Sequence, residues 1–248
     1  MPKFNNQDTV FVPVVQIDNM ENSNYAICSA TVENVRDRTV ELRITGQPDL
    51  VSISSSKVLH RNTGILILRI GDMQTEETLL KPLEKSILQF CRLLMPDDHI
   101  KQFDTRHPDE LRSFWEQNQQ AYSHIIFVAH GTRSGLIFND QEVGTDELRS
   151  IFDIKNGSSK VFISLACNTG YQKVAGELSK MEICNHLIAP AGSVHGAAAS
   201  QFTQTFLSYH FLEGQTIKVA FRNARKCSSR STNFRYWRNG GFVAGKPK

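Results

Sequence analysis

The spacing of apolar residues changes character near residue 64. Before it, short β-branched runs ("TVFVPVVQI", "YAICSATV", "TVELRITG", "LVSISSSKVL") are separated by polar turns such as Gly46-Gln47-Pro48. Runs of that kind predict antiparallel strands or hairpins. Residues 1–63 therefore read as a small β-rich segment covering an edge of the main sheet. After Gly64, strands alternate with helices. "ILILRI" (65–70) has the apolar character of a strand buried on both faces. Leu79, Leu83, Ile87, Phe90 and Leu94 then recur at helical spacing, with Pro82 in the first turn or at a kink. "HIKQF" predicts a short strand. Pro108 opens a helix with Leu111, Phe114, Trp115 and Tyr122 on one face.

The alternation continues through a strand at 125–129 and a short helix, "GTDELRSIF", for which Thr145 is a candidate cap. A strand at 161–166 is followed by a helix carrying Val174, Leu178 and Met181. "HLIAP" is a further strand. "GAAASQFTQTFLSYHFLEG" is a helix that turns Phe202, Phe206 and Tyr209 inward and stops at Gly214. "TIKVAFRNARK" is the last helix, and the remaining residues show no period. This order predicts an α/β fold over 64–248, a mostly parallel sheet with helices on both faces.

Two of the strands end on chemically useful residues. "IIFVAHGTRSG" delivers His130-Gly131, and "VFISLACNTG" delivers Ala166-Cys167. Ligand sites in such sheets lie outside the carboxyl ends of the strands. Neighbouring strands are only about 4.8 Å apart. If these two strands are neighbours, the imidazole and the thiol share one cleft.

That pairing suits acyl transfer. A cysteine attacks as the thiolate, and an imidazole manages the proton and returns it to the leaving amine. The developing oxyanion needs two donors, for which the N–H groups of Gly131 and Cys167 are the candidates. Gly131 has no side chain to block the substrate. A helix starting soon after Cys167 would add a positive dipole end.

Composition narrows the class. At 40% hydrophobic and 21% charged residues the chain is an ordinary globular protein. No apolar run approaches the roughly 18 residues of a membrane span, and "MPKFNNQDTV" has no signal-peptide core, so a cytoplasmic protein is expected. The five cysteines are scattered without a C-x-x-C pair, which argues against a disulfide scaffold or a zinc ribbon. No metal site, P-loop or dinucleotide fingerprint is present, and no cofactor is implied. Charge is uneven: nine Lys or Arg and no Asp or Glu fall between Ile217 and the C-terminus, so the rest of the chain is net acidic. Such an end can contact an anionic partner such as nucleic acid, with Phe234, Tyr236 and Trp237 available for stacking on bases. It can equally be a solvated tail or a segment docked on its own domain.

Taken together, the "FVAHG" and "ISLACNTG" blocks resemble the caspase-like cysteine peptidases, and are most similar to the bacterial CHAT branch. The helix pair "AAASQFTQTFLSYHFLEGQTIKVAFRNARK" is similar to that branch as well, with Phe206, Gly214 and Ala220–Ala224 in matching places. The resemblance covers about Ile65 to Lys226. It implies a cysteine endopeptidase with His130 and Cys167 as a dyad, acting on a protein substrate. It further implies a regulated bacterial effector of defence or cell-death type, with a regulatory protein partner.

One departure matters. Where many relatives carry an acid, this chain has "GSVHGA", with Ser193 and His195 as candidate cleft residues. Asp72, just after strand 65–70, could select a basic P1 side chain or could be a helix cap. His124 and His186 precede strands, at the wrong end of the sheet, and read as structural.

Overall fold

The computed structural model describes residues 4–17, 25–59, 63–71, 74–153 and 159–245. The alternating N-terminal runs form four strands, β1 (Thr9–Pro13), β2 (Ile27–Val35), β3 (Thr39–Ile44) and β4 (Leu50–Ser54). They pair in chain order, all antiparallel, and bury their own core of Val10, Val12, Val32, Leu42 and Ile44. This small sheet does not cover a side edge of the main one. It sits where the main strands begin: Ala26 N–H donates to Leu94 O at 2.8 Å, and Phe11 meets His99 edge to face.

The main sheet is built from β5 (Gly64–Ile70), β6 (Ile100–Thr105), β7 (Tyr122–Val128), β11 (Lys160–Ser164), β12 (Cys184–Pro190), β13 (Phe234–Arg238) and β14 (Gly241–Ala244). Its order is β14-β13-β12-β11-β7-β5-β6. The five strands from β12 to β6 are parallel, while β13 and β14 run antiparallel at one edge. Helices α1 (Lys81–Leu94), α4 (Gly196–Leu207) and α5 (Ile217–Ala224) cover one face. Helices α2 (Pro108–Asn118) and α3 (Thr145–Phe152) cover the other. The mixed α/β architecture with helices on both faces is therefore present.

Several local expectations change. The aperiodic C-terminal end forms the β13–β14 hairpin and buries Phe234, Tyr236 and Trp237, so none of these rings is open for stacking on a base. After β7 the chain makes a second small sheet, β8 (His130–Gly131), β9 (Gly135–Phe138) and β10 (Gln141–Gly144). Its tight turn places Asn139 and Asp140 at φ 42° and 69°, values these two residue types tolerate. Thr145 does not cap α3, since its hydroxyl donates to Ser134 O and Lys173 O, each at 3.0 Å. Pro82 lies in the first turn of α1, behind a π-helical turn at Glu76–Leu80.

His124 and His186 do not precede their strands but lie within β7 and β12, where both pack against aromatic side chains. His124 lies buried in β7 beside His210 and Phe211, and His186 Nδ1 lies 2.6 Å from the Tyr236 hydroxyl. Burial pulls all three histidines down, His186 to about 4. The unfolded chain therefore takes up a proton near pH 6.5, while the folded His186 waits until about 4. Its contribution is present above that window and lost as the pH falls through it. We expect the stability difference between the wild type and His186→Asn to shrink by up to about 3 kcal/mol between pH 6.5 and 4. Urea melts across that range check this, and a pH-independent difference would refute it.

Candidate functional site

The register between β7 and β11 sets the geometry. His124 pairs with Val161, Ile125 with Phe162, Ile126 with Ile163 and Phe127 with Ser164, and Leu165 N–H still donates to Phe127 O at 2.9 Å. Every pair has the same offset, and continuing it by three residues brings position 130 opposite position 167. Contact confirms the approach. A Cβ added to Gly131 would lie 2.7 Å from Thr169 Cγ2 and 2.8 Å from both Ala166 Cβ and Cys167 O. Glycine is thus needed for the Ala166–Thr169 wall, beyond any need to clear a substrate.

His130 and Cys167 are both half-buried. The Nε2 of His130 lies 2.6 Å from Thr75 Oγ1. Thr75 stands just before the π-helical turn, and its neighbour Glu76 is clamped by Arg69 and Arg106, each at 2.6 Å. Arg106 and then Arg69 hold the Glu76 carboxyl down to about 2. Arg69, buried in β5, also binds Asp104 of β6 and Glu84 of α1. Burial and the nearby Asp104 push Glu84 up to about 7. A hub of one cation and three carboxylates therefore fixes the segment that meets the imidazole. Nothing in the amino-acid pattern marked Thr75, because a threonine in "GDMQTEET" has no period to reveal it.

Cys167 sits on a tight turn. Asn168 follows it at φ 63°, and its N–H donates to Gly192 O at 3.2 Å. Buried hydroxyls brace the turn: Ser164 Oγ and Thr169 Oγ1 are 2.8 Å apart, and Thr169 donates to Ala166 O at 2.8 Å. The two hydroxyls stand five residues apart around the cysteine in "SLACNT", the one trace of this brace in the sequence. Val194 N–H donates to Cys167 Sγ at 3.4 Å, and the thiol donates to Val194 O at 3.9 Å. The helix expected soon after Cys167 begins at Gln172, as a short π-helical turn. Its dipole end is therefore displaced from the sulfur.

The hydrogen-bond pattern leaves the two candidate backbone donors unused by their neighbours. Among the described residues the Cys167 N–H has no hydrogen-bond partner. Thr132 N–H donates to Gly135 O, so antiparallel alternation makes His130 the next bonded position and turns the Gly131 N–H away from β9.

The other expected residues fare differently. The "GSVHGA" loop does approach the thiol, but through Val194. Ser193 is exposed, and its carbonyl accepts from Asn233 Nδ2 at 3.4 Å. His195 is exposed and caps α4, its Nδ1 accepting from Ala197 N–H at 3.2 Å. Asp72 lies outside the described residues. Close to the Thr75 side, a cavity of about 400 Å³ at the ends of β5 and β6 is lined by Arg69, Glu76, Asp104, Arg106, His107 and Glu110.

No protein-family model and no curated protein matches this chain. Among the described residues no cluster of metal-ligating side chains occurs, and no helix is long and apolar enough to cross a membrane.

Three of the other cysteines, Cys28, Cys91 and Cys184, are poor nucleophiles in the folded state. Burial pushes Cys28 up to about 11 and Cys91 up to about 12, and Cys184 is raised as well. We expect iodoacetamide to label Cys167 in the native protein and to spare Cys91 and Cys184 until the chain unfolds. His130→Ala should change the pH profile of Cys167 labelling, read by peptide mass spectrometry. An unchanged profile would show that the imidazole and the thiol do not share a cleft.

Proposed function

We propose that this chain is a caspase-like cysteine endopeptidase of the CHAT type, with Cys167 as nucleophile and His130 as general acid and base. The observation that carries the reading is the common position of the two residues, each following one of two adjacent parallel strands at the same edge of the sheet. A half-buried thiol, an imidazole held by Thr75 and two backbone donors supply the parts acyl transfer needs.

The thiol proton passes to His130 and the sulfur attacks the peptide carbonyl carbon. The oxyanion forms against the Gly131 and Cys167 N–H groups. His130 returns its proton to the leaving amine as the C–N bond breaks, leaving a thioester on Cys167. Water, deprotonated by His130, then attacks that carbonyl and releases the acid product and the thiol. Thr75 acts through His130 as a positioning residue.

Substrate choice is open to the same chemistry. The cavity beside Thr75 carries three carboxylates, Glu76, Asp104 and Glu110, and two guanidiniums, so a basic P1 side chain is the first class to test. The resemblance also implies a regulatory protein partner, with bacterial defence as the setting.

Cleavage profiling on a peptide library tests the reading. Cys167→Ala and His130→Ala should each abolish cleavage while leaving the fold intact, and the double variant should be hardly worse than either, because the two act as one unit. Near-wild-type cleavage by either single variant would refute the dyad. Thr75→Val should lower kcat roughly tenfold, the value of about 1.4 kcal/mol from one hydrogen bond, with little change in KM. Thr75→Ser should restore most of it.

A further inference from the structure

A second cavity, of about 640 Å³, opens at the far end of α5. Its polar lining is Arg222, Arg225, Lys226, Ser228, Ser229 and Thr232, and its apolar wall is Phe221 with Ala244. No carboxylate lines it, and none of the three cations forms an ion pair among the described residues. Its size is that of a small-ligand pocket.

Arg222 lies in the last turn of α5, and Arg225 and Lys226 follow directly after its end, so three like charges stand close together. A helix C-terminus attracts cations, which accounts for positive charge there in general. It does not account for a concave site whose lining also includes Ser228, Ser229 and Thr232, with Thr232 Oγ1 donating to Ser229 O and Ser228 Oγ accepting from Arg230 N–H. Arg225 is also incompletely used. One of its terminal nitrogens donates to Thr232 O at 2.6 Å, its carbon lies 6.0 Å from the Phe221 ring centre, and its buried Nε has no partner. Guanidiniums bind phosphate through paired N–H donors, and hydroxyls add further ones.

We propose that this cavity binds a small phosphorylated molecule with an apolar body, of mononucleotide size. The phosphates lie against Arg222, Arg225 and Lys226, and the apolar part lies toward Phe221 and Ala244. The 3-10 turn Ser229–Asn233 that forms one wall connects to the loop after β12, since Ala191 N–H donates to Asn233 O at 2.9 Å, and that loop in turn meets the cysteine turn through Asn168 N–H and Gly192 O. The binding itself does not depend on the peptidase reading.

Calorimetric titration of the full chain carrying Cys167→Ala tests this without self-cleavage, using ATP, tripolyphosphate and adenosine as probes. ATP should bind at one site, tripolyphosphate more weakly, and adenosine not at all. The exposed pair Arg222→Gln and Lys226→Gln should weaken ATP binding about tenfold or more, as expected for loss of charge-assisted hydrogen bonds. Lys57→Gln, on the distant N-terminal sheet, should leave it unchanged. Absence of saturable ATP binding, or equal affinity in the paired variant whose melting temperature is unchanged, would overturn the site. Equal affinity for ATP and tripolyphosphate would overturn the apolar part of the proposal.

Discussion

The hydrogen-bond register between β7 and β11 is the constraint on which the site depends. Both strands are buried on both faces, so neither can slip by one residue without turning apolar side chains into the wrong layer. A fixed register in turn fixes what emerges beyond the strand ends. His130 and Cys167 reach the same edge together because their strands are locked along their whole shared length. The close fit of Gly131 against Ala166, Cys167 and Thr169 carries that order one turn past the sheet.

Register alone would leave the imidazole free to rotate. The second restraint comes from Arg69, a buried cation in a strand that otherwise packs apolar residues. Desolvation opposes its charge, but bonds to Asp104 and Glu76 outweigh that and hold it protonated. The hub joins β5, β6 and α1 to the turn that carries Thr75. Removing Arg69 would leave the buried Glu84 and the largely buried Glu76 without their shared cation, which is costly. A polar cluster in this place thus trades some stability for a defined position of the segment that meets His130.

The two additions to the parallel sheet serve different ends. The β13–β14 hairpin extends the sheet beyond β12 and seats Trp237, whose Nε1 donates to Gly170 O at 3.1 Å, close behind the cysteine turn. The N-terminal sheet docks where the strands begin, away from the cleft. Support for the cysteine therefore comes from the basic C-terminal segment, while the N-terminal strands mainly lengthen the apolar layer under α1.

Apolar spacing by itself determined most of the strand and helix order from residue 64 to Ala224, apart from the small β8–β10 sheet, together with the two-faced cover of the main sheet and the emergence of His130 and Cys167 after buried strands. Period is a local property, and a buried strand or an amphipathic helix writes it into neighbouring residues. The β-rich N-terminal segment was legible for the same reason. Tertiary structure alone decided the β13–β14 hairpin, in which Arg235 and Arg238 of β13 interrupt the apolar pattern. It also decided Thr75, the Arg69 hub and buried Lys160, whose amine donates to Gln119 O and Tyr122 O and is brought down to about 8 by burial. Those residues join partners far apart in the chain. Their roles follow from which elements pack together, and no spacing within one element records that.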